Sequence, residues 1–528
     1  MSENNVENGI TLNNEIKPIG NLIAFFTIIL LTVYPLYYHD FYFDILVVKY
    51  KFFYIAVILM AIILLLLIMF MIIRKVNIKR LIKIIFFSNF NLADKGMISF
   101  CFIAIISTLQ SSYKYESLWG NEGRFSGLFL LLTYGLAYFM ISKGVRYSQW
   151  LVELFLFASM LVCLFGITDY FMLDIFGFKK NIASNQYNMF ASTIGNINTY
   201  TAYVSMVMGV STSLFVSAKS LSKIIWYFVC MMISFFAIIM GLSDNAYLAI
   251  GALFAFLPIW LFKNRIGIKR YILTLTTLLY AIYVVDFVNK VMPKQVLQMS
   301  GILEKLSGYS KLEYVVAMAT IICCIIYLYD YFQKSNGEYG IKLQVTWAIL
   351  LAVLLICGLY ILYDANIAGH GERYGTLGNY LIFNDEWGTH RGYIWKIGLE
   401  CYGKQPFIHK IFGYGPDTFG VMILSSGRHA ESLARYNEYF DSAHNEYLQY
   451  FITMGPFGLI SYILILVGAG IQMVKNTKKD PYIMAILFAM ICYAVQATVN
   501  ISVPITTPVF IVLIAVGVAG SRNVVSEG

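Results

Sequence analysis

The string Trp387-Gly388-Thr389-His390-Arg391-Gly392-Tyr393-Ile394-Trp395 sets a cation between glycines where an apolar-periodic run begins. A helix starting there puts Arg391 where free backbone N–H groups already favour anions. Arginine stays charged and grips phosphate oxygens through a planar fork. The cluster therefore fits a phosphate site, and it equally fits an interfacial arginine in an aromatic belt. A second string, Asp441-Ser442-Ala443-His444-Asn445-Glu446-Tyr447-Leu448, runs straight into a long apolar segment. A histidine at a water–lipid boundary is suited to take a proton from a hydroxyl group as a general base. Asp441 or Glu446 would then orient it. The competing reading is an interfacial histidine with Asp441 as a helix cap.

Three further clusters accompany these. Asn121-Glu122-Gly123-Arg124-Phe125-Ser126-Gly127 carries a cation able to reach the same anion or to snorkel to lipid headgroups. Ser192–Tyr200 contains Asn196 and Asn198, small polar residues that line a cavity or cap a helix. Ser243-Asp244-Asn245 separates two apolar runs, and Asp244 there is an ordinary turn former unless it faces the same cavity. No phosphate loop of the GxxxxGK[ST] kind, HExxH, CxxC or paired-aspartate metal pattern accompanies them. The expectation is chemistry driven by arginines, with no metal and no cofactor.

Such residues need a scaffold, and the composition says which solvent it meets. Of 528 residues, 59% are hydrophobic and only 13% charged, and the mean hydropathy is +0.70. Soluble domains carry about 45–50% apolar and about 25% charged residues. A soluble enzyme is excluded, as are collagen-like, disordered and disulfide-framed chains. Seven of the eight cysteines sit in apolar runs, where cysteine packs as a small hydrophobe.

A bilayer-spanning helix needs about 20 apolar residues. Runs of that kind cover 21–38, 52–73, 96–111, 126–142, 150–168, 199–217, 224–241, 246–262, 271–287, 313–331, 344–363, 447–472, 482–499 and 503–519. The expected fold is an all-α polytopic membrane protein with about 14 spans, or 12–13 in alternative readings. The corresponding segments are a cytoplasmic tail at 1–20, membrane helices over 21–363, a large extracytoplasmic loop at 364–446, membrane helices over 447–519 and a second tail at 520–528.

Arg74, Lys75, Lys79, Arg80, Lys83, Lys143, Arg146, Lys219, Lys223, Lys263, Arg265, Lys269, Arg270, Lys475, Lys478 and Lys479 fall on one set of alternating loops. That set should be cytoplasmic, with both termini inside. The +9 net charge then reports topology rather than nucleic-acid binding. The other set comprises 112–125, 169–198, 288–312 and 364–446. The last holds five of the six histidines, His370, His390, His409, His429 and His444, together with Arg373 and Arg428. Within it, 391–403 reads as a helix and Gly413–Gly415 with Pro416 as a turn. All five polar clusters fall on this outer side.

Taken in order, Trp387–Trp395, Gly413-Tyr414-Gly415-Pro416-Asp417-Thr418-Phe419, Asp441–Leu448 and Gly455-Pro456-Phe457-Gly458 resemble the O-antigen ligase/polysaccharide polymerase (Wzy-C) superfamily. Gly195-Asn196-Ile197-Asn198 is similar to that family's Gly-Asn-Pro-Asn element, with Ile197 in place of proline, and Gly123–Gly127 resembles another recurrent one. The likeness runs from about residue 95 to the C-terminus. It implies a metal-independent glycosyltransferase of the bacterial cytoplasmic membrane, facing away from the cytoplasm. Such an enzyme moves a glycan from an undecaprenyl-diphosphate donor to a hydroxyl of a glycan or lipid-linked acceptor.

On this resemblance Arg391 binds the donor diphosphate, His444 acts as base or aligns the acceptor, and Arg124 supplies a second cation. Asp441, Asn445, Glu446, Asn196, Asn198 and Asp244 would support the site or line its cavity. Many relatives carry Ser-Arg where this chain has Ser243-Asp244, which leaves Arg124, Arg373 or Arg428 to compensate. The alternative is a lipid-linked oligosaccharide flippase or other transporter. A third reading is a structural or sensory protein whose outer loop binds glycan without reacting.

Overall fold

The computed structural model describes residues 2–76, 90–299, 301–307, 311–333 and 339–526. Lys79, Arg80 and Lys83 of the first basic loop lie outside the described residues, as do Ser300 and residues 308–310 of the outer 288–312 segment.

Every apolar run coincides with a helix. In chain order these are α1 (Ser2–Leu36), α2 (Ile45–Ile73), α3 (Leu92–Gln110), α4 (Leu128–Gly144), α5 (Trp150–Tyr170), α6 (Ile197–Ser217) and α7 (Leu221–Met240). There follow α8 (Ala246–Leu261), α9 (Arg265–Val291), α10 (Leu312–Gln333), α11 (Lys342–Asn366), α12 (Glu446–Val474), α13 (Pro481–Gln496) and α14 (Thr507–Ser526). Ten are long and apolar enough to cross a membrane: α1 from Lys17, α2, α3, α5, α7, α9, α10 to Phe332, α11, α12, and α13 together with the helical turn that extends it to Val499. The apolar helices α4, α8 and α14 (to Arg522) are shorter. α6 spans 21 residues, but it is studded with serine and threonine and buried along almost its whole length. α1 is helical from Ser2 onward, so the N-terminal polar segment continues into the first span without a break in the helix.

The only strands among the described residues are Phe190–Ala191 and Gly195–Asn196, an antiparallel pair. This two-residue ladder turns the chain into α6 just before Asn198.

The basic loops gather at one end of the bundle. Tyr147 donates to Asp480 at 2.7 Å, Lys223 to Tyr482 at 3.1 Å and Trp260 to Thr477 at 3.2 Å. Lys143 and Arg522 converge there on buried Asp94. The Arg124, Asn198 and Asp441 clusters occupy the opposite end.

The 364–446 segment folds as a cap with its own core. Tyr393, Ile394, Ile397, Phe419, Met422, Ile423, Phe440 and Ala443 are buried together with Ile452 from α12. Apolar burial explains why so long a connection is ordered. The cap is also locked onto a break in α12. Gly455 adopts φ 71° beside Pro456, a left-handed conformation that suits glycine. Gly413, at φ 71°, lies so close to this break that an added Cβ would collide with the Thr453 carbonyl oxygen. Gly415 N–H then donates to that oxygen at 2.9 Å.

Candidate functional site

Arg391 sits where the sequence places it, at the head of a helix, but the entry is unusual. The element Trp387–Gly403 begins with three successive left-handed residues, Gly388, Thr389 and His390, at φ 61°, 58° and 66°. Thr389 and His390 each cost about 1–2 kcal/mol in that conformation. Such strain persists only where surroundings over-determine it, as at binding sites. The Arg391 guanidinium donates back to the Gly388 carbonyl, while its buried Nε meets no hydrogen-bond partner among the described residues. Burial lowers the Arg391 pKa, and the Asp244 carboxylate opposes that shift.

Four residues on, hence on the same helix face, Trp395 Nε1 donates to the Ala443 carbonyl at 2.9 Å. This bond ties the arginine helix to the residue before His444. His444 itself takes the left-handed conformation, φ 47°. Asn445 caps α12, its side chain accepting from Leu448 N–H at 3.0 Å. The cap is therefore Asn445 and not Asp441.

Asp441 is committed elsewhere. Arg124 Nε and Nη2 donate to its two carboxylate oxygens at 2.9 and 2.8 Å. The Arg124 loop is held in turn by Asp417, one oxygen of which accepts from both Asn121 N–H (2.8 Å) and Ser126 N–H (3.0 Å). Asp417 is buried and left-handed at φ 60°. Burial pushes its carboxyl up to about 7, against the pull of the two backbone donors and of Arg124.

Arg124 and Arg391, from two unrelated parts of the chain, both act electrostatically on His444. Burial first, then the positive charges of Arg124 and Arg391, push the His444 imidazole down to about 3, with Asp441 opposing. Both guanidinium charges act on the imidazole and favour its neutral form. It makes no hydrogen bond among the described residues. The other four cap histidines are engaged: His370 with Asp364 at 2.8 Å, His390 with Glu386 and the Tyr436 ring, His409 stacked on Tyr414, and His429 edge-on to Tyr439.

The remaining candidates divide. Asn198 accepts from Ser243 Oγ at 2.7 Å and Asn245 Nδ2 at 3.3 Å, so it joins the α6 entry to the Asp244 turn. Asn196 caps α6 through Asn198 N–H. Asp244 accepts from Ile302 N–H at 3.0 Å and acts electrostatically on Arg391. Glu446 is buried and accepts from the Tyr450 and Tyr493 hydroxyls at 3.5 and 3.4 Å inside the bundle. Arg373 pairs with Asp364, and Arg428 with Glu400 and Glu431. Neither is brought to His444.

Beneath Arg124 lies a cavity of about 20 Å³ lined by Ser126, Asp417, Ser442, Gln449, Tyr450 and Ser502. That is room for about one water, and the buried Ser442 hydroxyl in its wall has no hydrogen-bond partner among the described residues. The cavity does not include Arg391 or His444. Asp417 is the residue that the sequence under-reported. Its Gly-Pro-Asp context reads as a turn, with nothing to mark the loop it clamps. No group of three or more histidine, cysteine, aspartate or glutamate residues capable of holding a metal occurs among the described residues.

Residues 306–463 match the family model described as O-antigen ligase, Wzy-C. The chain carries a Wzy-C domain. The match takes in Arg391, His444, the Gly413–Phe419 turn and the Gly455 break, and it excludes Arg124 and Asp244, which the fold adds from outside it. No curated protein matches the chain. The Wzy-C domain and ten membrane-length helices together make this a membrane-embedded protein of the glycan-handling kind.

Proposed function

We propose that the protein is a metal-independent glycosyltransferase that moves a glycan from an undecaprenyl-diphosphate donor to an acceptor hydroxyl at the outer face of the bacterial cytoplasmic membrane. The observation that carries this reading is His444, which makes no hydrogen bond among the described residues and lies within the electrostatic reach of both Arg124 and Arg391. Lys and Arg at the opposite end of the bundle support a cytoplasmic assignment for that end and for both termini.

In this reading the donor diphosphate settles against Arg391 and Arg124. The acceptor oxygen attacks the anomeric carbon as the bond to the diphosphate oxygen breaks. The hydroxyl proton passes to a His444 nitrogen, and the departing diphosphate keeps the bonding electron pair. Fixed cations at a leaving group need no reorganisation as charge develops, which is where electrostatic catalysis is strongest.

A base at about 3 is too weak for this task at neutral pH, and the donor itself corrects that. Its negative charge opposes the two guanidinium charges and raises the imidazole toward a useful range. Base strength therefore appears only when the donor is bound. The cap excludes water that would otherwise compete as acceptor.

The deciding experiment supplies purified protein with a lipid-diphosphate-linked glycan and a saccharide acceptor in the presence of a chelator. New glycosidic bonds and released lipid diphosphate are expected. Transbilayer movement of the donor without bond formation would instead establish the transporter reading.

A further inference from the structure

Two apolar crevices flank the end of α1 nearest the site. One lies between α1 and α2, about 570 Å³, walled by Phe26, Ile29, Val48, Phe52, Ile55 and Leu59, with His39, Asp44 and Lys51 also in its lining. The other lies between α1 and α5, about 480 Å³, walled by Val33, Leu36, Leu154, Phe157 and Leu161. Tyr37, just past the end of α1, lines both. The α1–α2 connection packs beside the strand pair that leads into α6, with Tyr42 stacked on Phe190 at 5.0 Å.

The polar residues of the first crevice are unequally occupied. Asp44 is taken, accepting from Asp40 N–H at 2.9 Å and pairing with His39 Nδ1 at 2.9 Å. Nearby Lys49 is buried and donates to the Tyr34 and Pro35 carbonyls at 3.0 and 2.8 Å. Lys51 is exposed and has no ion pair or hydrogen bond among the described residues. It stands six residues into α2, about 9 Å along the helix axis. An exposed lysine this close to the helix end snorkels to the headgroup level, where a lipid phosphate is within its reach.

We propose that these crevices form a binding site for one diacyl phospholipid with an anionic headgroup. Its phosphate lies at Lys51 and its two chains straddle α1, one in each crevice. The paired crevices favour two chains on one headgroup over the single chain of a polyprenyl lipid. The free ammonium, with Asp44 already satisfied by His39, favours an anionic headgroup over a zwitterionic one. Such a lipid would brace the α1–α2 connection behind the candidate site.

The test uses the full chain extracted in mild detergent, with bound lipid counted by native mass spectrometry after addition of phosphatidylglycerol or phosphatidylcholine. About one phosphatidylglycerol per chain should be retained, and it should raise the melting temperature where phosphatidylcholine does not. Lys51→Gln should cut retention by about five-fold, the scale expected for one lysine at an anionic membrane surface. Val33→Trp, which fills the second crevice, should weaken retention of the diacyl lipid. Equal retention of the two phospholipids, or unchanged retention in Lys51→Gln, overturns the proposal. So does one-for-one displacement by a single-chain polyprenyl phosphate that Val33→Trp leaves unaffected.

Discussion

Arg124 and Asp441 stand 317 residues apart in sequence and meet through two hydrogen bonds, Nε and Nη2 to the two carboxylate oxygens. The pair staples the loop before α4 to the segment that carries His444. It leaves Nη1 of Arg124 for another anion. Asp441 therefore aims the arginine.

If that is its role, Asp441→Asn should lower transfer by about 10- to 100-fold, the scale of a misplacement of about 1 Å in a positioned group. Arg124→Gln should cost a similar amount. The double variant should be little worse than either single one, because both disrupt one unit. Additive losses in the double-mutant cycle would mean that the two side chains act separately.

Asp417 makes a prediction about the same loop. A single oxygen accepts both backbone N–H groups, so Asp417→Asn can keep the clamp and Asp417→Ala cannot. The alanine variant should lose thermal stability, since each buried donor left unpaired costs about 1–3 kcal/mol, and it should transfer poorly through the displaced Arg124. The wild-type carboxyl, raised to about 7, binds its proton more tightly folded than unfolded. Its contribution to stability is thus fully present below about pH 4 and declines as pH rises toward 7. Melting temperatures measured across that window should fall in the wild type, and this component of the slope should vanish in Asp417→Asn.

Much of the scaffold was legible because lipid is an unforgiving solvent. Each apolar run became a helix, and the 391–403 helix and the Gly413–Gly415 turn lie where period and glycine placement put them. α6 shows the limit of that reading. Its serines and threonines hide inside the bundle, so hydropathy alone does not separate a buried helix from one that meets lipid. The candidate site was legible as a set of residue types and not as the partners those residues take. Arg124, Arg391 and His444 could be named from their contexts. The Arg124–Asp441 pair, the Asn445 cap and the Asp417 clamp depend on contacts that no local pattern encodes. The left-handed turn at Gly388–His390 was likewise invisible, because threonine and histidine adopt that conformation only under tertiary constraint.

Asp244 puts a carboxylate in the electrostatic field of Arg391, where it competes with an incoming anion. Asp244→Asn removes that charge while keeping an acceptor for Ile302 N–H. Donor affinity should rise by about five-fold, corresponding to about 1 kcal/mol, the upper end of the net worth of a solvent-screened ion pair. A donor titration at two salt concentrations checks this, since the gain should shrink at the higher one. An unchanged or weaker affinity would place the Asp244 carboxylate outside the donor's reach.

His444 supplies the sharpest pH test. In the free protein its imidazole is held down to about 3 by burial and by Arg124 and Arg391. Lowering the pH from 7 to 5 therefore does not protonate it, and kcat/KM should show no acid limb from this residue in that range. Bound diphosphate offsets the two cations, so the imidazole rises in the complex and kcat should develop an acid limb at higher pH than kcat/KM. Arg391→Gln removes one of the lowering charges, so it should narrow the gap between the two profiles as well as slow turnover. His444→Ala should reduce transfer by about 10²- to 10⁴-fold, the usual worth of a general base, with an unchanged melting temperature and no remaining difference between the profiles. If the alanine variant keeps near-normal turnover, or if the two acid limbs coincide in the wild type, His444 is not the group that takes the proton.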